Sequence, residues 1–191
     1  MTVVVVLAVV GAIGWNLTAR GAYESAEYTV VESDGPFEIR GYPDLMLVST
    51  DIRVGSKDGD GSFIRLFRYI RGVNEADQKV SMTTPVFMED AGKYSKGRMG
   101  FVVPKQVPLE GAPKPNATDV NVRKREGGRF AVIRFTGRMN ATTSETAEEK
   151  LRNCLTSRNL SCHVESKSAG YDPPWTPGPL RRNGVLIRLS K

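Results

Sequence analysis

The stretch Ser62-Phe-Ile-Arg-Leu-Phe-Arg-Tyr-Ile-Arg-Gly72 reads as one short amphipathic helix, and the strand patterns on either side of it set the fold class. Ser62 is a residue type that caps helix N-termini, and Gly72 is a type that stops them. At about 100° per residue, Phe63, Leu66 and Ile70 fall on one stripe, which faces a core. Ile64, Phe67, Arg68 and Arg71 fall on the adjoining stripe. That second stripe mixes large apolar groups with guanidinium groups. It is either the solvated shoulder of a core helix or a surface that faces a ligand.

Upstream of the helix, Tyr28 to Glu32 reads as a strand, Asp34-Gly35 as a hairpin turn, and Phe37 and Ile39 as the return strand, broken at Tyr42-Pro43. Leu45 to Val54 alternates, with Leu45, Leu47 and Ser49 on one side and Met46, Val48 and Thr50 on the other. Gly55 to Gly61 is a polar loop. Its Asp58 and Asp60 raise a calcium loop, but the position that demands Gly falls on Phe63 and the closing Glu is missing, which excludes it.

Downstream, Lys79 to Met82, Thr84 to Met88 and Met99 to Val103 are short strand candidates, and Pro104 to Pro115 is an irregular, proline-rich connection. The pattern then restarts. Val120 to Arg125 is a strand, Glu126-Gly127-Gly128 a turn, and Phe130 to Phe135 a strand. Thr143 or Ser144 caps a second helix that runs to about Ser157, with Ala147, Leu151, Cys154 and Leu155 as its apolar face. Strands near Ser161 to Ser166 and Val185 to Leu189 follow. Hairpin, strand, helix and strands thus occur twice, which points to an internal structural repeat even though the two halves hardly match in sequence.

The 191 residues suit one domain with a sizeable core. The formal net charge is +6, but the charges are spread. The tightest basic group, Arg123-Lys124-Arg125, sits beside a turn, and no basic run is interleaved with aromatics, so nucleic acid is not the expected partner. Cys154 and Cys162 fit neither a zinc ribbon nor a redox pair. They are either one disulfide across a helix-to-strand connection outside the cytosol, or two small buried residues within it. His163 is the single histidine, so no multi-histidine metal site can form. No nucleophile elbow, phosphate loop or HExxH is present. These absences favour binding over catalysis.

Val3 to Trp15 is an almost unbroken apolar run. It is shorter than the ~17–25 residues of a full membrane span and fits a signal core or a minimal anchor. No Lys or Arg precedes it and no clean small-x-small cleavage site follows, so residues 1–20 read as an uncleaved membrane anchor. Residues 21–27 read as a linker and 28–191 as the domain. The domain is expected outside the cytoplasm, although Arg20 pulls towards the opposite orientation. The sequons at Asn16, Asn116, Asn140 and Asn159 read as ordinary turn and cap residues.

Several ordered segments carry a resemblance. Ala169-Gly-Tyr-Asp-Pro-Pro-Trp-Thr-Pro177, followed by Arg181-Arg182-Asn183, and Val80-Ser-Met-Thr-Thr-Pro-Val86 resemble the hallmarks of the SOUL haem-binding family. Tyr28 to Arg40, Met99 to Pro104 and Phe130 to Gly137 also fit, so the resemblance spans roughly Glu27 to Leu189 in register. It implies an α+β fold, a distorted β-barrel of two similar βαβ-type halves with two main helices packed on antiparallel sheet, expected as a monomer. It also implies non-covalent haem or a related tetrapyrrole, held between the first helix and the proline-rich loop, in a family that often lacks an axial histidine. Carried over by position, Phe63 and Phe67 are apolar contacts, Arg68 is the basic helix position, and Trp175 is the apolar position of the loop. The basic position beside Trp175 is Thr176 here, which removes one expected cation. Ile64, Arg71 and Arg181 complete the candidate set, with Arg71, Arg181 or Arg182 available to compensate. His163 is the one imidazole that could ligate iron, set against an ordinary surface or packed histidine. The function implied is reversible tetrapyrrole binding for transport, buffering or sensing. The alternative is a membrane-associated small-molecule effector or interaction domain that uses the same fold without haem.

Overall fold

Alternating strands that must bury both faces need cover on both, and the chain supplies it with two helices outside and a curl of the sheet inside. The computed structural model describes residues 24–52, 61–89, 97–105, 107 and 111–190. The anchor proposed from sequence for residues 1–20 lies outside the described residues. Among the described residues no helix is long and apolar enough to cross a membrane.

The elements in chain order are β1 (Glu24–Ser25), β2 (Thr29–Asp34), β3 (Phe37–Tyr42), β4 (Leu45–Asp51), α1 (Ser62–Ile70), β5 (Thr83–Thr84), β6 (Val86–Glu89), β7 (Arg98–Val102), β8 (Val120–Arg125), β9 (Gly128–Thr136), α2 (Ala141–Ser157), β10 (Cys162–Gly170), a single 3-10 turn (Gly178–Leu180) and β11 (Arg182–Leu189). Nine strands form one sheet in the order β2-β3-β9-β11-β10-β6-β7-β4-β8, and every neighbouring pair is antiparallel. From β3 to β8 this order is a palindrome. Exchanging β3 with β8, β9 with β4, β11 with β7 and β10 with β6 maps the sheet onto itself, with the seam between β10 and β6. The helices obey the same exchange, since α1 packs on β4 and β7 and α2 on β9 and β11. The repeat read from the sequence is therefore real in three dimensions.

On the outer face, Leu66, Tyr69 and Ile70 of α1 pack on Val48, Phe101 and Val120. Ala147, Leu151 and Leu155 of α2 pack on Ile39, Ile133, Val185 and Ile187. The inner face holds Leu47, Phe87, Phe130, Val132 and Leu186. Adjacent residues such as Leu47 and Val48 therefore serve opposite cores, as the alternation in the sequence requires. Each such side chain contributes about 1.5–3 kcal/mol when fully buried. The sheet curls but does not close, because β2 and β8 each pair with one neighbour. Arg125 reaches inward from edge strand β8 and lies over Phe87 (4.4 Å), Phe130 (4.5 Å) and Tyr42 of β3 (5.1 Å). Its three guanidinium nitrogens are buried and have no hydrogen-bond partner. Burial lowers its pKa to about 10.

Local details differ from the sequence expectations. Ser62 does not cap α1. It is the first helical residue, and Gly61 is the cap, at φ 72°, a conformation that glycine adopts without strain. The Ser62 hydroxyl donates to Met99 Sδ at 3.6 Å. Neither Thr143 nor Ser144 is the cap of α2. Asn140 is, and it exchanges two 2.9 Å hydrogen bonds with Thr143 in a capping box. The stretch assigned to the linker is partly structured, since Glu24–Ser25 pairs in parallel with Thr83–Thr84 and Ala26 is buried. Lys79 to Met82 forms no strand. Cys154 and Cys162 are free thiols, half-buried against the α2 core, so the disulfide alternative does not hold here.

Candidate cleft between α1 and the proline loop

Phe63 and Phe67 are one helical turn apart, so their rings can meet along the edge of α1. They do, with centroids 6.0 Å apart and planes within 15°. Phe63 also meets Phe101 edge-on at 5.3 Å, which ties the pair to the core. Opposite the two rings runs the loop from Asp172 to Arg181. Between them lies a largely apolar cleft of about 250 Å3 whose floor is the outer face of β6 and β7. Four methionines, Met82, Met88, Met99 and Met139, contribute to its lining. Thioether side chains are flexible and polarizable, so they fit ligands of varied outline.

The loop is held from both ends. Arg182 donates to Asp172 at 2.8 Å, and the Asp172 side chain is fully buried. Arg181 Nε donates to the Thr176 carbonyl at 2.9 Å, and its Nη2 donates to the Pro174 carbonyl. At the base of the loop, Arg40 donates to the Tyr171 hydroxyl at 2.7 Å. Burial pushes the Tyr171 phenol well above its ordinary range, so it stays neutral. Thr176 is buried and its hydroxyl has no partner. Trp175, by contrast, is 57% exposed at the lip.

Of the seven candidate site residues, Phe63, Phe67, Trp175 and Arg181 line the cleft together. Ile64, Arg68 and Arg71 do not. They are exposed on the outer side of α1, with the Arg71 guanidinium 5.7 Å from the centre of the Phe67 ring. His163 is exposed near the far end of β10 and is absent from the lining. It lies seven residues from Gly170, the cleft-lining end of that strand, or about 23 Å at ~3.3 Å per residue. Among the described residues no cluster of three or more His, Cys, Asp or Glu is placed to hold a metal ion. The methionines went unmarked in the sequence reading, because they come from four separate segments. The only local signal was that Met82 and Met88 flank the Thr84-Pro85-Val86 motif.

Comparison with known proteins follows the same architecture. The sequence profile described as "SOUL heme-binding protein" matches residues 23–188. Heme-binding protein 1 of Xenopus tropicalis is 29% identical over 177 residues, covering 86% of this chain and 92% of that protein. Heme-binding protein 2 of Homo sapiens is 29% identical over 189 residues, covering 91% and 89%. Among solved structures, a hydrolase from Listeria innocua superposes with a TM-score of 0.61 at 12% identity, covering 84% of this chain and 94% of the other. The EcmrR C-terminal domain superposes at 0.58 and 10% identity, covering 86% and 98%. At such identities these two structures bear on the fold alone.

Proposed function

Because the chain belongs to the SOUL heme-binding protein family, we propose that it binds haem or a related tetrapyrrole, reversibly and without a covalent bond, in the cleft between α1 and the proline loop. The observation that carries this is the pairing of a parallel aromatic step, Phe63 and Phe67, with Trp175 across a methionine-lined gap. A porphyrin is a broad apolar plate with two carboxylates on one edge. Its faces suit aromatic rings and thioethers, and its carboxylates suit guanidinium groups. Arg181 is engaged by the loop carbonyls, so among the described candidate residues Arg71, 5.7 Å from the cleft-lining Phe67 ring, with Arg68 beside it on α1, would have to turn towards the cleft to meet the propionates. The porphyrin ring would supply the visible absorption of the complex and bound iron would tune it, while the soft donors in the lining are methionine sulfurs and not imidazole.

The cleft is smaller than the roughly 300–1,000 Å3 of an enclosing ligand site. A tetrapyrrole would be gripped by part of its plate, with an edge in solvent. Moderate affinity and poor selectivity among tetrapyrroles follow, which suits transport or buffering. Catalysis lacks support, since the one acid among the described lining residues, Asp172, is already paired with Arg182 and no imidazole or thiol is among them. The apolar run Val3 to Trp15 is the feature that favours attachment of the chain to a membrane.

Titration of the protein with haemin tests the assignment. A saturable Soret band, with loss of tryptophan emission, is the expected result. A purely linear, unsaturable change would remove the cleft from consideration as a haem site.

A further inference from the structure

Eight large hydrophobic side chains are exposed among the described residues, and five of them lie on or next to the two elements that border the cleft, Phe67 and Trp175 in its lining. Ile64 and Phe67 lie on α1 and Val73 just beyond it, while Trp175 and Leu180 lie on the proline loop. Surface hydrophobics scattered singly need no explanation, but a cluster beside a cleft does. Cations accompany it. Arg68 and Arg71 stand four and seven residues after Ile64, on the same side of the helix. The composition is that of an interfacial surface, with Trp, Phe and Ile among Arg side chains.

The position of the chain entry adds a second line of support. β1 pairs with Thr83–Thr84, and Thr84 lines the cleft. Only residues 16–23 separate β1 from the apolar run that ends at Trp15. Eight residues reach no further than about 28 Å when fully extended. If the apolar run enters a membrane, β1 and the cleft-lining Thr84 beside it stay within about that reach of the lipid surface.

We propose that the Ile64–Phe67–Arg68–Arg71 stripe and Trp175 form a docking surface for an anionic lipid membrane, so that the cleft opens onto the bilayer. Apolar lips enter the headgroup boundary while Arg68 and Arg71 meet lipid phosphates, which attract basic residues near such a surface. The cleft would then exchange an apolar plate directly with lipid, in which free tetrapyrroles dissolve. That last step rests on the tetrapyrrole assignment, whereas the docking surface does not.

The chain has two tryptophans, so the full-length Trp15→Phe variant reports on Trp175 alone. It is mixed with phosphatidylcholine vesicles, with or without phosphatidylglycerol, carrying brominated acyl chains. Trp175 emission is expected to shift to the blue and fall by roughly half with the anionic vesicles. In the same background, Ile64→Asp combined with Arg68→Glu is expected to abolish that quenching even where the protein still floats with the vesicles. Protein that floats while Trp175 stays unquenched overturns the proposal. So does equal quenching in neutral vesicles, or quenching that survives the double substitution. Haemin titration in lipid-free buffer reports on the ligand assignment separately, so either idea can fail alone.

Discussion

Arg181 and Thr176 are joined by a 2.9 Å hydrogen bond from the guanidinium Nε to the backbone carbonyl, and a second guanidinium nitrogen takes the carbonyl of Pro174. One planar side chain therefore fixes the curve that carries Trp175. Arg181→Lys keeps the charge but loses the fork that spans two carbonyls. It is expected to weaken haemin binding by about tenfold, or ~1.4 kcal/mol. Isothermal titration beside the wild type measures this. Equal affinity in the two proteins would show that the fork does not position the lip.

Phe67 contributes one ring of the parallel step. Phe67→Ala removes that face, and a loss of about tenfold in haemin affinity is expected for a partly exposed aromatic contact. Phe67→Leu should recover part of it by restoring apolar cover. Absorbance titrations of the pair, with circular dichroism to confirm folding, distinguish a contact from a structural role.

His163→Ala is expected to leave the absorption maxima of the haemin complex unchanged, since the imidazole sits near the far end of β10 from the cleft. Axial ligation would reveal itself as a shift of the Soret and visible bands on substitution.

Arg125 is buried against three aromatic rings without an acceptor. An unpaired buried cation costs more than an apolar side chain of similar length. Arg125→Met should raise stability by about 1 kcal/mol in chemical denaturation, the gain from removing an unsatisfied buried group. Arg125→Ala should lower it by leaving a cavity.

Glu89 accepts from Arg123 at 2.7 Å and from Lys167 at 2.8 Å. Burial alone would raise its pKa, but the two cations outweigh it and hold the carboxyl below its ordinary value of 4.5. A depressed carboxylate pKa adds stability above the unfolded value and loses it as pH falls through the folded one. Glu89→Gln should therefore be less stable than wild type at neutral pH, and the difference should shrink on acidification below pH 4.5. Melting temperatures across that window check the sign.

Much of the fold was legible because the patterns that decide it are local. The helix stripe of Leu66 and Ile70, the α2 face of Ala147, Leu151 and Leu155, and the Asp34-Gly35 turn all announce themselves within a few residues. The caps were misassigned because more than one polar residue competed for each, and only backbone conformation separated Gly61 from Ser62 and Asn140 from Thr143. β1 was invisible, since two residues become a strand only when Thr83–Thr84 lies beside them. The cleft was half legible. Phe63, Phe67 and Trp175 followed from resemblance and Arg181 from the need for a compensating cation, but helical spacing alone could not tell that Phe67 borders the cleft while staying partly exposed, whereas Ile64, Arg68 and Arg71 lie outside its lining. The methionine lining arises from segments brought together only by the palindromic sheet.

The place of β11 in that sheet bears on how the protein is made. β9 and β10 are synthesised before β11, yet β11 lies between them and pairs with both. A nascent chain that ends before Arg182 has a gap in the middle of its sheet and nothing to hold the end of the proline loop. Folding into a ligand-competent form must therefore wait until β11 has left the ribosome, and until then the apolar faces of its two neighbours are open to chaperones or to one another.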